Sequence, residues 1–592
     1  MRNVSGNYFF YILIAIFVFG FFKISVLGGW DQSFYWAQLT SIWYDGDLTL
    51  HDDLLANRNP LRDQYRTITF INQQGMLPNT FSIGTALVDG VYAGPIVFIH
   101  RLLGLPRMSS FLLSVVGIAT IFKIWLLLLS VERLLNIYSP DASIKYAAIG
   151  SAFLGTPLLF YALIDYGMSH LNSSLFAALF VLALIGWLHQ PDMFHSTTLG
   201  VVAGILILIR WQDGIYAFLV IPPLLYQFFH VSRNERWRYL KGSGIGVFIT
   251  LIMVSLQSAA WYKQFRVLLH IPQGSEYVQW ASPQWVPLLF SGYHGLFIWS
   301  PVVVIAIIGL VRASVGNRGL WRWFMVGSLL TIAATVYVNA CVLDWWGGWS
   351  YGTRRVCSLV PLFALGTFDF MKSLNKKIAV ILLILVGLWA YFTFTCYQNR
   401  IDDLSVPILG KQSHFSPAND RYWITNAEEA RSILMTHLPS PHYSAVKLFS
   451  FKKMKFINRV LSAVSILGTF VLANMLFTLW RRQGRCRKTL LALTIVYAVT
   501  LTLIIAIAFP DSYRLNLTWK QYLERTITPD EAITQGVPEE PVRFIEALSF
   551  VSRGEPHKAQ KVLTSINTAD YRNLRFDKIL EFLDEKARSG LK

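Results

Sequence analysis

Long apolar runs separated by short polar or basic stretches dominate the chain. They lie near 8–27, 109–130, 145–163, 170–189, 196–211, 214–230, 242–262, 293–312, 321–343, 355–372, 377–396, 457–480 and 488–509. Each approaches the ~17–25 residues that cross a hydrocarbon core of ~30 Å. The runs are continuous rather than alternating, which predicts helices and excludes a β-barrel. The pattern predicts an all-α polytopic membrane protein with about thirteen transmembrane helices. No small-residue cleavage site follows 8–27, so this run reads as a retained span and not a signal peptide.

The basic stretches SRNERWRYLK (232–241), VRASVGNRGLWR (311–322), MKSLNKK (371–377) and RRQGRCRK (481–488) read as cytoplasmic loops. The N-terminus is then cytoplasmic and the C-terminus external, which is periplasmic for a bacterial inner membrane. One apolar segment, 80–104, does not fit that parity. It carries Asp89, several glycines and Pro95, and irregular backbone is not tolerated against lipid. It is expected to be an amphipathic or re-entrant helix on the outer face. The alternative is a fourteenth span with an external N-terminus.

This gives four regions. Residues 1–396 form a membrane module whose first outer loop, 28–108, holds interfacial helices. Residues 397–456 are a polar external insert, 457–510 hold two further spans, and 511–592 form an external helical C-terminal domain.

Composition agrees with the membrane reading. Of 592 residues, 54% are hydrophobic and 15% charged, against about 25% charged in a soluble chain. The net charge of +18 falls mostly in the cytoplasmic loops, so it does not call for nucleic acid. Cys341, Cys357, Cys396 and Cys486 are too scattered for a disulfide framework or a zinc site. Among the first three, one bridge or unpaired buried thiols both fit. No P-loop, dinucleotide fingerprint, serine elbow or HExxH is present.

The polar residues that change the picture gather at outer ends of spans. They include Asp31; Asp45, Asp47, His51, Asp52 and Asp53; Arg58, Arg62 and Arg66; Asp165 and His170; Arg210 and Asp213; His294; and Asp344, Arg354 and Arg355. Ionisable groups at membrane depth are costly and usually functional. Their collection on one side predicts a cavity at the outer leaflet. In WDQSFYWAQL, Asp31 reads either as a helix N-cap or as a general base. YDGDL (44–48) is either a metal-binding acid pair or an Asp-Gly turn. In LIDYGMSH, Asp165 and His170 can share a divalent cation or a hydrogen bond, or be structural. In DWWGGWSYGTRR (344–355), Asp344, Trp345, Trp346 and two adjacent arginines share one outer loop. Arg354 and Arg355 there, and Arg210 in IRWQDG, have the planar fork of donors that suits phosphate. His294 in SGYHGLFIWSP is a candidate for a substrate hydrogen bond or for interfacial packing.

Runs such as DGDLTL, NTFSIGTAL, FLGTPLLFYAL…MSH, HGLFIWSP and DWWGGWSYGTRR, in that order over about residues 8–396, resemble the GT-C superfamily of polytopic glycosyltransferases. That superfamily includes protein O-mannosyltransferases and the lipid A aminoarabinose transferase, and the likeness is nearest to little-characterised bacterial members. The resemblance implies a sugar donor carried on a polyprenyl phosphate and transferred, usually with inversion, at the outer face to a glycan, lipid or protein acceptor. It implies Asp31 as catalytic base and Asp165 as the second-loop acid that in some relatives helps to bind a metal. Many relatives have two adjacent acids where this chain has Asp31 and Gln32, which puts a metal-bridged version in question. A transporter or flippase for a lipid-linked anion is the runner-up. No internal repeat supports it. A non-catalytic membrane scaffold is the third reading.

Overall fold

The structure is a computed structural model that describes residues 30–46, 81–105, 110–140, 144–270, 277–291, 294–348 and 350–403, with scattered residues at 48–53, 79, 459–466 and 528–565. The expected span 8–27, Asp47, His51, Asp52, Arg58, Arg62 and Arg66 lie outside the described residues. So do the insert beyond 403, nearly all of 457–510 and most of the C-terminal region.

Among the described residues the chain is helical, apart from an isolated bridge between Val278 and Val342. Helix α1 (Trp30–Thr40) runs into a π-helical turn, Ser41–Asp45. Then come α2 (Gly84–Leu102), α3 (Ser110–Tyr138), α4 (Lys145–Leu154), α5 (Leu158–Leu163), α6 (Ser169–His189) and α7 (Met193–Ile209). They are followed by α8 (Ala217–His230), α9 (Arg233–Phe265), α10 (Trp285–Phe290), α11 (Leu296–Trp299) and α12 (Val302–Gly316). Last are α13 (Gly319–Cys341), α14 (Val360–Lys372) and α15 (Lys376–Asp403).

Among the described residues five helices are long and apolar enough to cross a membrane: 114–138, 169–189, 233–263, 319–341 and 376–394; α7 and α12 are shorter apolar helices. The chain is a multi-pass integral membrane protein. Three expected elements differ from the pattern. The run 145–163 is two helices, because Gly155, Thr156 and Pro157 interrupt it and Pro157 caps α5. The run 293–312 breaks at Ser300 and Pro301 into α11 and α12 for the same reason. The expected loop 232–241 is the start of α9. Ser232 and Glu235 form a reciprocal capping box there, so the basic residues ride on helix. α15 also runs past 396 to Asp403, into the expected insert.

The core is helix on helix. α12 packs on α14, α8 on α13, and α6 between α3 and α7. At the α12–α14 crossing a Cβ on Gly309 would lie 1.8 Å from the Gly366 carbonyl oxygen, so only small residues permit this approach. α9 lies against α7 but buries only 17% of its apolar window, and α15 only 22%, against 83% for α3. Those outward apolar faces suit contact with lipid. α2 is not among the five spanning candidates. It packs on α1, the π turn, α3 and α7. Its buried Asp89 accepts hydrogen bonds from Lys123 Nζ (3.0 Å), Tyr92 (2.7 Å) and Asn172 (3.3 Å).

Candidate active site

Asp31 sits in the first turn of α1. The cap reading does not describe what its carboxylate does. Arg354 Nη1 donates to Asp31 Oδ2 at 2.9 Å, and the two side chains are 21% and 20% exposed. Arg354 opens the short 3₁₀ helix Arg354–Leu359, which packs on α6. Burial alone would disfavour the Arg354 charge, but Asp31 offsets this and holds its pKa above the ordinary value. The next residue of α1, Gln32, donates its amide to Asp165 in the turn between α5 and α6. Burial, then Asp31, push Asp165 up to about 7, while Arg354 pulls it down. Tyr35, one turn on, is buried beside Asp31, Ser169, Arg210 and Arg354. Burial pushes its phenol up to about 12.

A second group adjoins the first. Arg210 caps α7 and donates from Nη1 to His170 Nδ1 at 2.8 Å. Arginine has only donors, so Nδ1 accepts and the His170 proton resides on Nε2. Asp213 accepts from Ser173 Oγ at 2.5 Å and is pushed up by burial, with Arg210 opposing. Asp165 and His170 thus have separate partners. Among the described residues no group of three or more His, Cys, Asp or Glu is placed to hold a metal ion.

The DWWGGWSYGTRR loop organises itself. Arg355 Nη2 pairs with Asp344 Oδ1 at 2.7 Å and donates to Tyr277 at 2.8 Å, and its Nη1 reaches the Asp344 carbonyl at 2.8 Å. Tyr277 also donates to Asp344. Gly347 and Gly348 take φ of 76° and 71°, which a side chain disfavours, and so turn the loop. His294 is buried, donates from Nδ1 to the Trp346 carbonyl at 2.5 Å, and accepts Thr353 on its own carbonyl. Trp345 is buried and meets Trp346 edge-on at 5.7 Å. Asp344, His294, Trp345 and Trp346 therefore shape the loop, and Asp31, Arg354, Asp165 and Arg210 form the charged cluster.

In YDGDL, Asp45 ends the π turn and Gly46 follows at φ 77°, its N–H bonded to Ser41, as a turn requires. Cys341 and Cys357 are free buried thiols, so the bridge among the first three cysteines fails.

Beside the charged cluster lies a cavity of about 260 Å³, lined by Leu159, Phe160, Ile164, Tyr351, Ala390 and Phe394 among others. Tyr161 connects the two. Its hydroxyl accepts from Tyr351 N at 2.8 Å, and its ring lies 4.5 Å from that of His170. Sequence reasoning missed Tyr161, Tyr277 and Tyr351. Their only signal was position, each within a few residues or one short element of a flagged polar residue.

No family model matches the chain, and no curated protein does. Two solved structures are similar. ArnT from Cupriavidus metallidurans in the apo state is 14% identical, covering 85% of this chain and 76% of that one at a TM-score of 0.40. ArnT from the same organism bound to undecaprenyl phosphate is 13% identical, covering 97% and 85% at a TM-score of 0.42. At these values the likeness transfers no residue role to this chain.

Proposed function

We propose that this protein is an integral-membrane glycosyltransferase that moves a sugar from a polyprenyl-phosphate donor to a cell-envelope acceptor at the outer face. One observation carries the reading: a cluster of two carboxylates and two arginines, drawn from four separate segments, is connected through Tyr161 to Tyr351, which lines an apolar cavity. That juxtaposition suits an amphiphile with an anionic head and a hydrocarbon tail. The resemblance of the motif order to GT-C enzymes supports it.

The chemistry follows from the groups present. An acceptor hydroxyl attacks the anomeric carbon, and a carboxylate of the cluster takes its proton. The leaving lipid phosphate gains negative charge, which the guanidinium groups meet. Arg210 suits this best. Arg354 and Arg355 are each paired with a carboxylate, whereas Arg210 has no ion-pair partner among the described residues. The same reading places the chain in a bacterial inner membrane with this cluster periplasmic.

The test is the full chain in lipid nanodiscs, given polyprenyl-phosphate sugars and envelope extract. Glycosylated acceptor and free polyprenyl phosphate should appear together. Movement of the donor across the bilayer with its sugar bond intact would sink the transferase reading and support a flippase.

A further inference from the structure

We propose that Asp165, positioned by Gln32, takes the acceptor's proton, and that Asp31 acts as counter-ion to Arg354. This rests on the transferase reading above and narrows which carboxylate does the work. Successive helical residues diverge by ~100° around the axis. Asp31 and Gln32 therefore face different neighbours: Asp31 meets Arg354, and Gln32 meets Asp165. Asp31's charge is matched by a guanidinium at 2.9 Å. Asp165 has no salt-bridge partner among the described residues; its side chain is held by a neutral amide.

Location separates the two further. Ile164, the chain neighbour of Asp165, lines the apolar cavity, whereas no residue of α1 does. The charged and titratable groups facing Asp165 are Asp31 from α1, Arg354 from the 3₁₀ helix, Tyr161 from α5 and the adjacent Tyr166, which itself faces Arg459. A carboxyl poised near neutrality, as Asp165 is at about 7, is matched to general-base work. Gln32 has a physical reason here. A second acid at that position would place two carboxylates in contact, whereas an amide donates to Asp165 and fixes its orientation.

The step balances. The acceptor oxygen bonds to the anomeric carbon as its proton passes to Asp165. The bond from that carbon to the phosphate oxygen breaks, and its electron pair leaves with the lipid phosphate. Asp165 returns the proton to water after product release.

The experiment is pH-dependent sugar transfer by the full chain in nanodiscs, using polyprenyl-phosphate sugars and envelope extract. Wild-type kcat/KM should rise with pH along a limb near 7. Asp165→Asn should lose at least ~100-fold in kcat at every pH with donor KM within about twofold. Asp31→Asn should keep the limb. Gln32→Glu should move the limb upward by about one unit, and Gln32→Met should lower kcat more than it changes KM. Infrared titration gives a readout that does not need turnover: a protonated-carboxyl band that fades near neutrality in wild type and is missing in Asp165→Asn. Retained activity and limb in Asp165→Asn, with both lost in Asp31→Asn, would overturn the assignment alone. A wild-type protein that cleaves no donor overturns the transferase reading with it.

Discussion

Arg210 and Arg354 belong to the charged cluster and Arg355 to the adjoining loop, and their partners divide the work among them. Arg210→Ala should raise donor KM by roughly 10- to 100-fold, the cost of one charge-assisted contact to phosphate. Arg355→Ala should leave donor KM near wild type and lower stability instead, because Asp344 and Tyr277 lose the group that binds them together. Steady-state kinetics and thermal melts of both variants check this; equal KM effects would remove the distinction. Asp165 also ties stability to pH. Folding raises its pKa from 3.8 to about 7. A carboxyl shifted upward stabilises the fold fully below its unfolded value and loses that contribution as pH rises through the folded value. Between about 4 and 7 the wild-type melting temperature should therefore fall relative to that of Asp165→Asn, whose side chain does not titrate; parallel curves would count against a buried, elevated carboxyl. Residue types and positions in the sequence were enough to flag Asp31, Asp165, Arg210 and Arg354. They did not reveal that Arg354 neutralises Asp31, since those residues are 323 positions apart and only the packed helices bring them together.

The element that presents Asp31 and Gln32 is held by α2. Trp43 of the π turn fits against Gly90 and Gly94, where an added Cβ would come within 2.4 Å and 2.3 Å of its ring. Gly94→Leu should displace the turn and with it α1, lowering transfer activity while leaving the α6–α15 bundle folded. Limited proteolysis alongside the activity assay separates local displacement from global unfolding. α2 is fixed on its other side by the Asp89–Lys123 pair, whose side chains are 10% and 7% exposed. Breaking a buried pair strands a charge and costs about 3–5 kcal/mol. Asp89→Asn should be destabilised on that scale, and Asp89→Leu combined with Lys123→Met should recover most of the loss in thermal melts. At this scale hydropathy was informative about α3, α6 and α13, whose apolar runs are long and unbroken. It failed at Pro157 and Pro301, where a missing backbone donor cuts a run that still looks continuous to an apolar window. It failed at 232–241 because charge was weighed there and the Ser-x-x-Glu helix start was not.

At the scale of the whole molecule, the arrangement makes sense as an enzyme only if the charged cluster and the basic stretches lie on opposite sides of the membrane. α13 joins those two ends. It begins beside Gly316 and Arg318, in one of the basic stretches, and ends at Cys341, whose carbonyl accepts from Gln279 N (2.7 Å), just before the loop that carries Arg354. At 23 residues and 1.5 Å per residue, α13 spans about 34 Å, enough to cross the hydrocarbon core. Ser282 and Gly316 are both exposed near its two ends, and no side-chain space limits Gly316. In a background lacking the native cysteines, Ser282→Cys should react with a membrane-impermeant maleimide from the outer side, and Gly316→Cys only after the membrane is permeabilised. Inversion of that pattern would place the cluster in the cytoplasm and contradict transfer at the outer face. Labelling of both from one side would mean that α13 does not cross, which contradicts the arrangement. The expected pattern would also explain the +18 charge without any nucleic-acid partner. The basic residues would hold the cytoplasmic ends by the positive-inside bias, leaving the arginines of the outer cluster as the exception that chemistry requires.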